Sequence, residues 1–250
     1  MKKLLAFVFI ITSVFAYAQD STKTKKVSRF FIGINFSPDY CFRTLKNNDG
    51  SSLSSELISI YNKVETAKFG FSTGINFCYL ITTHISIDLG AQYSNKGFQE
   101  KDAELTFGSA IDRRRGFVYN TNNSSVTGKI VYAYNYLDIP LKVNFVFGKK
   151  KVRFISSLGL TTNLLINSKN IFIGKDNTGK SIENSSSTTS TYNRINLSPN
   201  VSCGIDYKVN NKMFFRIEPT FRYGILKMTD TPVTQYLWNA GLNISYYFGL

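Results

Sequence analysis

The chain holds a single histidine, His84. Acid–base work near neutral pH draws chiefly on imidazole, so such chemistry would pass through this side chain, partnered by a Ser, Asp or Glu. A second reactive group is acidic: Asp102, Glu104 and Asp112 share one polar stretch, where carboxylates could ligate Ca²⁺. Their spacing matches no calcium loop, and Arg113-Arg114-Arg115 follows at once, so a solvated acidic stretch is expected. The three arginines could themselves grip phosphate oxygens in bidentate fashion. Cys41, Cys78 and Cys203 lie at no zinc-binding spacing, and neither a glycine-rich phosphate loop nor a nucleophile elbow occurs. These residues imply no cofactor and no metal.

Positioning them falls to β-strands. From Tyr236 to Phe248 the residues Tyr236, Trp238, Ala240, Leu242, Ile244, Tyr246 and Phe248 share one face, opposed by Asn239, Gly241, Asn243 and Ser245. Eight runs alternate in this way, at about 30–43, 67–81, 84–97, 129–147, 152–167, 193–209, 213–226 and 234–249. Short links at Thr82-Thr83, Gly148-Lys149-Lys150-Lys151 and Asn210-Asn211-Lys212 each join an even run to the next odd one. Between them lie long polar stretches at 44–66, 98–128 and 168–192, and a shorter one at 227–233. An up-and-down barrel with both termini on one side requires this alternation of short and long connections. The third stretch contains Ser185-Ser186-Ser187-Thr188-Thr189-Ser190 and reads as a mobile loop of low complexity. Pro38, Pro140, Pro199 and Pro219 each remove a ladder donor and imply bulges or local breaks.

The N-terminal residues indicate the compartment. Met1-Lys2-Lys3, an apolar run from Leu4 to Phe15, and Ala16-Tyr17-Ala18 are the three parts of a cleaved signal peptide over residues 1–18. A basic periplasmic segment, 19–29, then leads into one strand domain over 30–250. No later segment approaches the roughly 18 to 20 uninterrupted apolar residues of a helical span. The net charge is +14, of which Lys2 and Lys3 supply two. Export argues against nucleic acid as the partner and for anionic lipid or lipopolysaccharide phosphates. In that oxidising compartment three cysteines are an odd number. Cys41 and Cys78 fall near opposite ends of their strands, so no disulfide is expected.

Alternation alone does not say which face turns outward, and a soluble barrel of the lipocalin type would turn its apolar face in. Here the polar face is rich in Gly, Ser and Asn, with scattered charges that include Asp88, Asp138, Lys142, Arg216, Glu218 and Arg222. Such a face suits a narrow lumen in which opposite charges pair. Charged residues make up only 18 per cent of the chain, as expected where one face meets lipid. Tyr79, Tyr93, Trp238, Tyr246 and Phe248, near strand ends, suit interfacial girdles. The fold class predicted is all-β, an eight-stranded antiparallel up-and-down transmembrane β-barrel. Eight strands enclose a lumen that side chains just fill, and Tyr132, Tyr134 and Tyr136 join the charged set inside it. His84, beside the shortest turn, falls at the periplasmic end, away from any outer-leaflet substrate.

The segment Tyr136-Leu137-Asp138-Ile139-Pro140-Leu141 resembles the Tyr-Leu-acidic-Ile-Pro-Leu motif of the Bacteroidota-type outer-membrane β-barrel domain, whose members are called porin-family or PorT-like proteins. Phe31-Ile32-Gly33-Ile34-Asn35, Gly90-Ala91-Gln92-Tyr93-Ser94-Asn95-Lys96-Gly97 and Phe221-Arg222-Tyr223-Gly224 are similar to its first, third and seventh strands. The chain departs from the pattern at Asp138, where Glu is common, and at Phe248-Gly249-Leu250, which replaces a terminal aromatic. The resemblance implies a bacterial outer-membrane location and leaves activity open. The function expected is that of a monomeric, non-enzymatic barrel presenting extracellular loops for surface interaction or envelope structure, with Arg113, Arg114 and Arg115 as candidate lipopolysaccharide contacts. Lys23-Thr24-Lys25-Lys26 and Lys149-Lys150-Lys151 would rest near inner-leaflet phosphates. The alternative implied by the PorT-like resemblance is an accessory role in type IX protein secretion, with envelope or secretion proteins as partners. A barrel enzyme and a narrow pore rank behind both.

Overall fold

Each of the eight alternating runs forms a strand in the computed structural model, which describes residues 28–106, 125–175 and 180–250. The elements are β1 (Phe30–Asn47), the helix α1 (Ser52–Val64), β2 (Glu65–Leu80), β3 (Ile85–Glu100), β4 (Ala103–Thr106), β5 (Ser125–Phe147), β6 (Val152–Lys175), β7 (Ser181–Ser187), β8 (Ile195–Lys208), β9 (Met213–Tyr223) and β10 (Val233–Gly249). Eight strands close into an antiparallel ring, β1-β2-β3-β5-β6-β8-β9-β10. The ring closes where β10 lies along β1, from Gly249 opposite Phe31 to Val233 opposite Asn47. Leu250 N–H donates to Phe30 O at 3.0 Å, and the Ser28 hydroxyl to Leu250 O at 2.8 Å, tying both ends of the barrel domain together beside the short turns.

The strand faces separate as the pleat requires. Asn35, Ser37 and Asp39 of β1 are buried in the lumen while Ile34, Phe36 and Tyr40 are exposed, and Phe69 of β2 is 82 % exposed. An apolar surface this continuous cannot face water, and it marks the belt that meets lipid.

Three of the four prolines within strands interrupt the ladder without shifting it. Pairing skips from Phe36 to Asp39 against β10, from Leu89 to Gln92 against β5, and from Ser202 to Ile205 against β9, opposite or beside Pro38, Pro140 and Pro219. The true register shifts lie elsewhere, between Ala67 and Phe71 on β2 and at Asn135/Tyr136 on β5. At that level the Asn95 amide donates to Asn135 at 2.6 Å and the Asn135 amide to Asn167 at 2.7 Å, while Lys68 donates to Asn95. This polar row sits where the belt of Tyr93, Leu137 and Ile166 ends. Gly97 nearby has φ +147°, and a Cβ there would stand 1.9 Å from Tyr132 O, so the strand turns here only because the residue is glycine.

Beyond the row the chain builds more than loops. A membrane-spanning strand needs about 9 to 11 residues, whereas β5 has 23 and β6 has 24. Their outer halves leave the belt, β4 pairs with β5 and β7 pairs with β6, giving a four-stranded ribbon β4-β5-β6-β7. This corrects the expectation of a mobile loop over 168–192: Lys169–Lys175 pairs residue by residue with Ser181–Ser187. One face of the ribbon buries Val126, Ile130 and Phe172 with Ile182 packed against them, but Ser185, Ser186 and Ser187 are exposed at both parities, so periodicity could not reveal this strand. In the stretch 44–66, α1 starts at the N-cap Ser51, whose hydroxyl accepts the Ser54 N–H at 3.1 Å.

Candidate functional site

The lumen gathers a set of buried charged side chains, and neighbouring strands set the first contacts. Near the short turns Asp206 of β8 has Arg153 of β6 and Arg216 of β9 as register partners. Arg153 Nη2 lies 2.6 Å from Asp206 Oδ1, and Arg216 Nε 2.9 Å from Asp206 Oδ2. Arg216 then reaches across the lumen to β3, its Nη1 2.9 Å from Asp88 Oδ2, an oxygen that also accepts the Tyr247 hydroxyl at 2.9 Å. The guanidinium carbon is 4.7 Å from the Phe214 ring centre and 4.9 Å from that of Tyr247, so it packs against this stacked ring pair while its nitrogens are hydrogen-bonded.

Higher up, Lys142 stands 3.6 Å from Glu218, whose other oxygen accepts the Ser157 and Ser202 hydroxyls at 2.9 Å each. Asp39 accepts Arg222 at 3.2 Å, Ser37 at 2.8 Å and Ser72 at 2.6 Å. Gly241 opposite makes room for this carboxylate, since a Cβ would stand 1.8 Å from it. Asp138 accepts Lys96 at 2.7 Å, Ser94 at 2.8 Å and Asn163 at 2.6 Å. Above them Phe98, Tyr134, Tyr136, Leu165, Met228 and Leu237 form an apolar plug. At the outer rim Arg43 Nε donates to Glu65 at 2.9 Å, and its remaining nitrogens bond Glu65 and Gln235.

Among the described residues below the rim, the carboxylates Asp39, Asp88, Asp138, Asp206 and Glu218 are matched by Lys96, Lys142, Arg153, Arg216 and Arg222. The interior is therefore balanced, and the chain's net charge of +14 belongs to its ends and surfaces. Every inward charge read from the sequence, Asp88, Asp138, Lys142, Arg216, Glu218 and Arg222, is in this network, with Tyr134 and Tyr136 buried above it. Asp39, Lys96, Arg153, Asp206 and Tyr247 complete it and were not singled out, although each sits on the inward parity of its strand. That parity was the signal that could have found them.

His84 lies at the short turn between β2 and β3, exposed, with Nδ1 3.0 Å from the Thr83 hydroxyl and no acid beside it among the described residues. Asp102 is exposed just before β4, the Glu104 side chain is not among those described, and Asp112 and Arg113, Arg114 and Arg115 lie outside the described residues. Among the described residues no three His, Cys, Asp or Glu side chains converge on a metal-sized site. Cys41 and Cys78 are buried thiols, and Cys203 is exposed on the belt.

A closed antiparallel ring of eight strands, apolar outside and charge-balanced within, defines a transmembrane β-barrel. The chain belongs to the outer membrane protein beta-barrel domain family, whose model matches residues 17–230, and this places it in a bacterial outer membrane. No curated protein matches it in sequence. Among solved structures it is similar to the outer membrane protein OprG of Pseudomonas aeruginosa, with 11 % identity over 89 % of this chain and 97 % of that one, at a TM-score of 0.46. It is also similar to Neisserial surface protein A, with 13 % identity over 87 % and 96 % at 0.40. A third is the outer membrane protease OmpT of Escherichia coli, with 9 % identity over 92 % and 99 % at 0.42. These likenesses assign no activity.

Proposed function

We propose that the protein is a non-enzymatic outer-membrane scaffold that holds structured extracellular elements for surface interaction or envelope structure. The observation that supports this best is the ribbon β4-β5-β6-β7: the strands run well past the belt and recruit two more outside it. A lumen filled by paired charges and an aromatic plug makes the barrel a rigid mount rather than a conduit. In this reading the short turns and both termini are periplasmic, the leader over 1–18 is removed on export, and the barrel is monomeric. Lipid and lipopolysaccharide phosphates are its surroundings, with Arg113, Arg114 and Arg115 as the proposed lipopolysaccharide contact.

Accessibility on intact cells tests it. Ser59→Cys on α1 and Ser186→Cys on the ribbon, both at exposed positions, should react with a membrane-impermeant maleimide, whereas Lys150→Cys should react only after the outer membrane is opened. The reverse pattern would overturn the reading.

One observation favours the rival, a PorT-like accessory of secretion. The periplasmic rim presents Arg29, Lys149, Lys150, Lys151, Lys208 and Lys212 with no acidic side chain among its described residues, a surface to which acidic periplasmic machinery could bind. Cargo accumulating in the periplasm of a deletion strain, and released again on complementation, would favour that rival.

A further inference from the structure

Above Arg43 the barrel opens into a cup of about 470 Å³. Its walls include Leu53, Leu57 and Tyr61 of α1 on one side and Tyr132, Tyr192 and Val233 on the other. Leu53, Leu57 and Tyr61 recur every four residues and so form a single apolar stripe on the helix. A helix normally buries such a stripe against a core. This one does not: Leu53 is 66 % exposed, and within α1 only Ser54 is buried.

Polar groups hold α1 in place instead. The Asn47 amide donates to Ser51 O and to the Ser55 hydroxyl, each at 2.9 Å, and the Lys101 ammonium donates to Lys63 O at 2.7 Å. With both ends of the helix tethered in this way, its stripe stands off from the opposite wall and faces space that no described residue fills. Among the described residues the floor of the cup carries no unpaired charge. Arg43 is paired with Glu65 and Gln235, and its guanidinium carbon lies 3.9 Å from the Phe98 ring centre and 5.5 Å from that of Tyr61. The apolar plug closes the way below. Whatever enters must leave by the same opening, so the cup can bind but cannot conduct.

We infer that this cup is a binding site for a neutral, apolar small molecule, whose burial completes the core that α1 lacks. Resting on the extracellular orientation proposed above, it gives the displayed surface a ligand class. The volume is within the range of about 300–1,000 Å³ typical of small-molecule sites. The driving force is the removal of the helix stripe and the tyrosine walls from water. An anionic ligand would lose its hydration with no free counter-charge to meet it, and the one unpaired carboxylate among the described wall residues, Asp49, is already hydrogen-bonded by Ser51 and Ser54.

The test uses the full chain in lipid nanodiscs with benzophenone, a neutral photoreactive aromatic, and maps adducts by mass spectrometry. Saturable adducts on residues 52–64 and on Tyr132 or Tyr192, displaced by unreactive diphenylmethane, are the expected result, against labelling of the lipid belt that does not saturate. Leu57→Arg brings a charge into the cup from an exposed helix position and should lower those adducts about tenfold, with belt labelling unchanged, while Leu57→Met should retain them. Labelling of the cup that fails to saturate, or that Leu57→Arg leaves intact, would overturn the inference. Should Ser59→Cys label on intact cells while the cup takes no benzophenone, the cup alone fails. Should Ser59→Cys be shielded, the display reading fails with it.

Discussion

Arg216 bridges Asp206 and Asp88 while packed against the stacked rings of Phe214 and Tyr247, so its loss would leave Asp88 buried without a cation and Asp206 with Arg153 alone. Arg216→Met should lower the unfolding free energy by about 3–5 kcal/mol, read from denaturant titrations in bilayers. Arg216→Lys should recover only part of this, because an ammonium cannot reach both acids in the same fork. Outside the membrane, the Ser51 backbone N–H and then the Ser54 hydroxyl, with the Ser51 hydroxyl, hold the Asp49 carboxyl below its ordinary value of 3.8. Because the folded value is the lower one, Asp49 contributes its full support to the start of α1 above pH 3.8 and loses it as pH falls through the depressed value. Methyl NMR signals of Leu53 and Leu57 should accordingly hold steady down to that range and shift below it, and Asp49→Asn should remove this step. At this scale the sequence showed which charges face inward, since parity follows from the pleat. It could not show that Arg216 meets Asp88, or Lys142 meets Glu218, because these partners face each other across the lumen and share no strand pair.

The ribbon and α1 stand outside the ring, and their contribution can be removed without opening it. Ser168 and Thr188 already lie together, with Thr188 N–H donating to Ser168 O at 3.0 Å, so a two-residue turn can replace residues 169–187. The shortened chain should still fold into a barrel and keep its heat-dependent shift in gel mobility, while losing any surface interaction that depends on the ribbon. Failure to fold would show that the ribbon nucleates the ring. Elements inside the belt were legible because lipid on one side and a polar lumen on the other impose a period of two. In the ribbon the serines of β7 are exposed at both parities, and in 44–66 the apolar stripe of α1 sits among polar residues over a short span, so neither produced a readable period.

The closed ring, the balanced interior and the plug together predict a barrel that does not conduct. Reconstituted in planar bilayers, the intact protein should show no steady ion conductance, since Arg216, Lys142 and Arg222 each cross part of the lumen to a carboxylate on a non-adjacent strand. A sustained open level would contradict the mount-and-display reading and revive transport.

Class, strand number, the alternation of turn lengths and the outward face were settled by the sequence alone, because each is a one-dimensional pattern imposed by the pleat and by lipid. The lumen's pairing scheme, the four-stranded ribbon and the cup beneath α1 were decided only by the tertiary structure. Each depends on distances between residues far apart in the chain, such as Arg216 and Asp88 or Arg43 and Gln235, and closure of the ring is what brings those residues into reach.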